Sequence, residues 1–131
     1  AVLLWPRPAV APSDHVAIEV VPRAGATRRG DTVVGDDLRI AVGRAHAHVE
    51  VRVYRDATLV VRCPGADLCQ LAAREIRLEL RLAEPGRYRV VKLTSAAPIP
   101  APDGGGLDAD VLAARSAGAA IDLRDPIMVS P

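Results

Sequence analysis

Ile76, Leu78, Leu80 and Leu82 alternate with Glu75, Arg77, Glu79 and Arg81. Side chains two apart on a strand share a face. Glu75–Leu82 therefore reads as a strand with one apolar and one charged face. Glu84-Pro85-Gly86 turns the chain, and Tyr88–Leu93 runs back beside it. The same period recurs upstream. Val16, Ile18 and Val20 alternate with Ala17, Glu19 and Val21, and Thr32–Val34 is a short β-rich piece. Leu38, Ile40 and Val42 form the inner face of the next strand, after a turn at Gly35-Asp36-Asp37. Val49, Val51 and Val53 form that of its neighbour, with His48, Glu50, Arg52 and Tyr54 outside. Arg55-Asp56 makes a tight connection. Leu59, Val61 and Cys63 then continue inward, while Thr58, Val60 and Arg62 face out. Charges on the outward rows are expected to be solvated and to pair across strands.

The pattern breaks twice. Pro64–Arg74 is expected to be a crossover loop with a helical turn at Leu68–Ala73. Thr94–Gly106 carries Pro98, Pro100, Pro102 and three glycines and forms no regular element. Leu107–Ala117 follows with acids in its first turn, Arg115 near its end and Gly118 at its stop, which predicts a helix. Ala119–Leu123 and Ile127–Val129 read as closing strands. Short strands at regular spacing separated by turn residues predict a mainly β fold, an antiparallel immunoglobulin-like β-sandwich with one short C-terminal helix. Tyr88, just after Glu-Pro-Gly, sits where such sandwiches place a corner tyrosine whose hydroxyl bonds upstream backbone.

Composition sharpens this picture. At 131 residues the chain has room for one core. It lacks Phe, and Trp5, Tyr54 and Tyr88 are its only aromatics, so the core must be aliphatic. Arg dominates, with Lys92 the sole lysine, a bias that fits a GC-rich genome. The net charge of +1, with interspersed signs, argues against a nucleic-acid surface. Carbohydrate binding by stacked aromatics has almost no residues to spare.

Candidate chemistry is sparse. Cys63 and Cys69 are the only cysteines. They can bridge across a turn, remain a buried thiol pair, or join a metal site for which the intervening stretch offers only Asp67. A disulfide would imply an oxidising compartment. His46 and His48 are the weak metal candidates, placed on one strand face with Glu50, with Asp36 or Asp37 approaching from the adjacent strand. His15 is expected on the surface. No G-x-S-x-G elbow is present, and no carboxylate pair flanks a cleft. Gly104-Gly105-Gly106 precedes a helix, but Asp103, Asp108 and Asp110 around it repel an anion. Arg29-Gly30-Asp31 is a three-residue match that a turn explains. The reading is of a protein without catalytic residues, cofactor or resident metal.

The chain opens with Ala1-Val-Leu-Leu-Trp5-Pro-Arg-Pro8 and no methionine, as a processed or cut chain would. An apolar run, a Trp and then Pro-Arg-Pro suits the last turn of a membrane helix leaving the bilayer. An edge strand closed by Pro6 and Pro8, or a signal-peptide remnant, fits as well. Residues 1–14 thus form a juxtamembrane stub or edge strand plus linker, and 15–131 a single sandwich domain. Leu3-Leu4-Trp5-Pro6, the AEPGRYRVV turn at Ala83–Val91, and LTSAAPIPAP with LDADVLAARSAG after it resemble extracytoplasmic regions of single-pass bacterial membrane regulators, especially anti-sigma-factor-like proteins. The resemblance implies a periplasmic or cell-surface module, with a membrane anchor preceding Ala1 and a protein partner. No sigma-binding segment is present. Recognition is expected on the loops Thr94–Gly106 and Pro64–Arg74, since binding residues concentrate on loops held by a scaffold. The other readings are a structural or accessory subunit using a strand edge, and a metal protein using His46 and His48.

Overall fold

The computed structural model describes residues 14–23 and 30–131. The stub, most of the linker and Arg29 lie outside them. Ten strands and one helix follow in order: β1 (Val16–Val21), β2 (Thr32–Val33), β3 (Asp37–Gly43), β4 (His48–Arg55), β5 (Thr58–Cys63), β6 (Cys69–Leu71), β7 (Glu75–Arg81), β8 (Gly86–Ser95), α1 (Leu107–Ser116), β9 (Ala120–Leu123) and β10 (Ile127–Ser130). They form a β-sandwich. The smaller sheet has the order β1-β3-β7-β6. The larger has the order β2-β10-β8-β4-β5, with β9 also on β8. Among the described residues all pairings are antiparallel, as the sequence predicts, except the two-residue parallel pairing of β10 with β2.

Register follows the apolar alternation, since a one-residue slip would turn the aliphatic row to water. Ile18 pairs with Ile40, and Ile40 with Leu78. Leu38, Ile40, Val42, Ile76, Leu78 and Leu82 meet Val51, Val53, Val61, Cys63, Tyr88 and Val90 from the other sheet in one buried core. Among the described residues no aromatic beyond Tyr88 enters it, and many small aliphatic contacts fill it.

A third layer was not expected. Tyr54, Val91 and Leu93, on the outer face of the larger sheet, form a second apolar cluster with Leu107, Ala114 and Ala119. Ile99 and Val111 pack against it. The helix and the loop before it thus cover a face that the charge pattern of β4 assigned to solvent. Glu50 is 5 % exposed, Arg52 1 % and Tyr54 1 %.

Two local corrections follow from hydrogen bonding. Val53 pairs with Val61 but Tyr54 with Leu59, so the register skips Val60. This bulge swings Leu59 from the predicted core face to the helix side, and leaves Val60 exposed. The helical turn predicted at Leu68–Ala73 is replaced by β6, whose Cys69, Gln70 and Leu71 pair with Leu78, Arg77 and Ile76. Ladder bonds to a neighbouring strand outweigh a helical pattern of one turn, too short to nucleate on its own.

The β7–β8 turn shows why its residues are Glu-Pro-Gly. Gly86 has φ +146°, and a Cβ there would lie 2.8 Å from Asp56 Oδ2. The missing side chain lets the β4–β5 hairpin close on the start of β8. Asp56 N donates to Arg87 O at 2.9 Å, and Arg87 N to Asp56 Oδ1 at 3.0 Å. Tyr88 Oη donates to Glu84 O at 2.8 Å, the upstream backbone bond expected of a corner tyrosine. Across the hairpin, Ala57 O accepts Leu107 N at 3.0 Å and fixes where the helix begins.

Candidate functional site

Cys63 and Cys69 are joined in a disulfide with Cα atoms 5.8 Å apart. Cys63 lies in β5 of the larger sheet and Cys69 in β6 of the smaller, so the bridge ties the two sheets at one margin. His46 is not on a strand, because β4 begins only at His48. Instead His46 Nε2 lies 2.9 Å from Asp14 Oδ1, and Asp14 O accepts Lys92 Nζ at 2.8 Å. The pairing with His46 is the chief reason that the Asp14 carboxyl titrates below its ordinary range. Asp36 and Asp37 do not approach the histidines. Asp36 is buried and accepts backbone amides, while Asp37 Oδ1 pairs with Arg81 Nε at 2.7 Å. His15 is half-exposed and pairs with Glu75 at 3.0 Å. Among the described residues, no three His, Cys, Asp or Glu side chains are placed to share a metal ion. No helix among them is long and apolar enough to cross a membrane.

A cluster of buried charge lies under the third layer. Glu50 pairs with Arg52 Nε through one oxygen and with Arg62 Nη2 through the other, the latter at 3.0 Å. Arg52 Nη2 donates to Pro100 O at 2.7 Å, which straps the Thr94–Gly106 loop onto the sheet. Tyr54 Oη donates to Asp110 Oδ2 of α1 at 2.7 Å. Glu50 and Arg52 face each other as opposite charges, Arg52 also meets a carbonyl, and buried Asp110 accepts from the Tyr54 phenol, so each buried charge here has a polar partner, as burial requires. Both carboxylate oxygens of Glu50 are engaged. This arrangement ties the loop to the sheet. The proline-rich loop, one of the two segments expected to recognise a partner, is fastened down by it.

The cluster makes a pH prediction. Burial, and then the hydrogen bond to Asp110, raise the Tyr54 phenol well above its ordinary value. Burial also raises Tyr88. The fold therefore prefers both phenols neutral. Their contribution is complete below about pH 10, where free tyrosine ionises, and is lost as pH rises beyond it. With two tyrosines in the chain, the readout is simple. Tyrosinate absorbance should stay low through about pH 10 and then rise together with loss of the β circular-dichroism signal. Reversible ionisation of both phenols near their free value, with the fold intact, would contradict it.

An open concave feature lies on the opposite side of the molecule, over the outer face of the smaller sheet. It is a groove of about 450 Å³, within the range of ligand-binding clefts. Its rows can be read from the register. Ala17, Ala41, Arg77 and Gln70 lie across the four strands in one row, and Glu19, Arg39 and Glu79 in the next. Ala17 and Ala41 are small, so the floor sinks between taller side chains. Arg77 Nε pairs with Glu75, and Arg39 Nε lies 3.4 Å from Glu79 Oε2. Glu19 has no ion-pair partner among the described residues. Leu68, 39 % exposed, and Gln70 border the far side. The disulfide-bridged Pro64–Arg74 segment, the second loop expected to carry recognition, thus contributes to the groove through Leu68 and Gln70. Ala17 and Ala41 were not singled out from the sequence. The available signal was two alanines at outward positions of neighbouring strands, where charged residues otherwise alternate.

No protein-family model matches this chain, and comparison with curated proteins and with solved structures finds no match to either.

Proposed function

We propose that this domain is a protein-interaction module of a membrane-anchored bacterial regulator, working outside the cytoplasm, and that the groove on the smaller sheet is its recognition surface. The groove carries the reading. It combines a small apolar floor at Ala17 and Ala41 with rims of both charge signs. The occupant we assign is an extended segment of a protein partner. Such a segment would lay an apolar side chain over the two alanines and a basic one against Glu19, which has no ion-pair partner among the described residues. The Cys63–Cys69 bridge supports the placement outside the cytoplasm, because disulfides persist in oxidising compartments. The corner tyrosine supports an immunoglobulin-like kinship of the sandwich. On this reading the chain performs no catalysis.

Selection of a displayed random-peptide library on the oxidised domain tests it. Enrichment is expected for peptides that place an apolar residue beside Lys or Arg. Ala41→Trp, which fills the floor, and Glu19→Lys, which reverses the charge at that rim, should each reduce capture at least tenfold. Capture that ignores both substitutions, or no enrichment, would refute the reading.

A second reading is an accessory subunit that associates through a strand edge. Among the described residues β1 pairs only with β3, over six unbroken positions, which leaves its other edge open to another strand. Sedimentation as a dimer or larger species, abolished by Ile18→Pro, would favour it.

A further inference from the structure

We propose that the Cys63–Cys69 disulfide is a redox-operated gate on the groove, holding the wall formed by Leu68 and Gln70 when oxidised and releasing it when reduced. The inference rests on the groove reading above for its consequence, but its structural part stands on separate observations.

The wall segment has few other holds. β6 is three residues long and pairs with β7 along one side. Gln70 and Leu71 of β6 are exposed, Leu71 by 55 %, so little apolar burial keeps them in place. Nearby bonds are local or open to water. Cys69 N donates to Ala66 O at 3.0 Å, and Ala72 N to Glu75 O at 2.9 Å. Arg44 Nη1 reaches Ala72 O at 2.6 Å from an exposed position. A short edge strand with solvated hydrogen bonds belongs to the low-stability end of a fold. The covalent tether is different in kind. It fastens β6 to fully buried Cys63, in the core of the opposite sheet. Breaking it leaves β5 seated, because its ladder with β4 is independent, and leaves β3 and β7 joined over seven pairs.

The chemistry needs an external dithiol. Its thiolate would attack Sγ of Cys69, the partly exposed member, since Cys63 is inaccessible. Cys63 would depart as a thiolate and take up a proton. The second thiol of the reductant would then displace Cys69 from the mixed disulfide. The products are two protein thiols and one external disulfide, with two electrons passed from the dithiol to the protein. Oxidation by the reverse exchange resets the gate.

Amide hydrogen exchange of the whole chain, oxidised and then reduced with dithiothreitol, tests the gate. Cys69→Ser, which cuts the tether and leaves Cys63 in the core, serves as the second arm. Amides of residues 66–72 are expected to exchange at least tenfold faster in both arms. Amides of Ile40, Val51, Leu78 and Val90 should keep their protection. Exchange at 66–72 changed by less than about twofold would overturn the proposal, as would global loss of protection at the four core positions. The peptide selection separates the two claims. If exchange responds but Ala41→Trp leaves peptide capture unchanged, the groove reading fails and the gate stands. If Ala41→Trp abolishes capture and exchange is unresponsive, the gate fails and the groove stands.

Discussion

Glu50→Gln should lower the unfolding free energy by about 3–5 kcal/mol, the usual result of stripping a buried ion pair of one partner. Glu50 is buried between two guanidinium groups, and Arg52 among them is 1 % exposed. Neutralising the carboxylate leaves Arg52 as a buried cation with no opposite charge beside it, only neutral partners: the Pro100 carbonyl, Tyr54 and the one amide oxygen that Gln retains. Arg62 can turn outward to water, because its side chain is 35 % exposed. The loss therefore falls mainly on Arg52. The double variant Glu50→Leu/Arg52→Met removes both buried charges and should cost less than Glu50→Gln alone, since apolar replacements of similar volume often match a buried pair. Guanidinium denaturation of the three proteins measures this. A Glu50→Gln cost below about 1 kcal/mol, or a double variant worse than the single one, would show that the cluster is not the fastener described.

The same substitution should loosen the proline-rich loop. Arg52 holds Pro100, and the loop's Ile99 packs beside Tyr54, Val91 and Leu93. Its trace then explains how far sequence could go. Period two was enough for β1, β3, β4, β7 and β8, because alternating aliphatic residues have one stable arrangement on a pleated sheet. Ile76 and Leu78 are buried as their alternation requires. The Leu107 helix was equally legible from its acids, Arg115 and Gly118. What alternation does not encode is whether the outward row meets water or another layer. Glu50 and Arg52 read as solvent-facing because charged residues usually are. Their burial depends on where the helix docks, a contact between Tyr54 and Asp110 across 56 positions of sequence. A hint existed, because Val91 and Leu93 are apolar residues on the same outward rows of β8. Lys92 gave another: a lone lysine at an inward position, here buried against Asp14. The groove was illegible for the opposite reason. It is defined by absent bulk at Ala17 and Ala41, and only the strand order brings those alanines together.

Asp36 and Asp37 are adjacent in sequence and should differ severalfold in what their removal costs. Asp36 is 2 % exposed. Its Oδ2 accepts Val33 N at 3.0 Å and its Oδ1 accepts Arg23 N at 3.3 Å. Its own carbonyl accepts Leu82 N at 2.9 Å, and Gly35 N donates back to Leu82 O at 2.9 Å. One residue thus joins the chain after β1, the short β2 and the end of β7, close to where Val34 N meets Ser130 O of β10. Asp36→Ala removes the carboxyl acceptor of two backbone donors in a place water reaches poorly. A buried donor left without a partner costs about 1–3 kcal/mol, and the longer bond counts for less, so a loss of roughly 2–4 kcal/mol is expected. Asp36→Asn keeps the shape and one carbonyl acceptor and should lose about half as much. Asp37 faces outward, and its partner Arg81 is 66 % exposed. Asp37→Ala should change stability by no more than about 1 kcal/mol, as solvent-exposed pairs do. Denaturant melts of the three variants, with unchanged m-values, decide the matter. Equal costs for Asp36→Ala and Asp37→Ala would mean that the inward carboxylate does not bind this corner of the sandwich together.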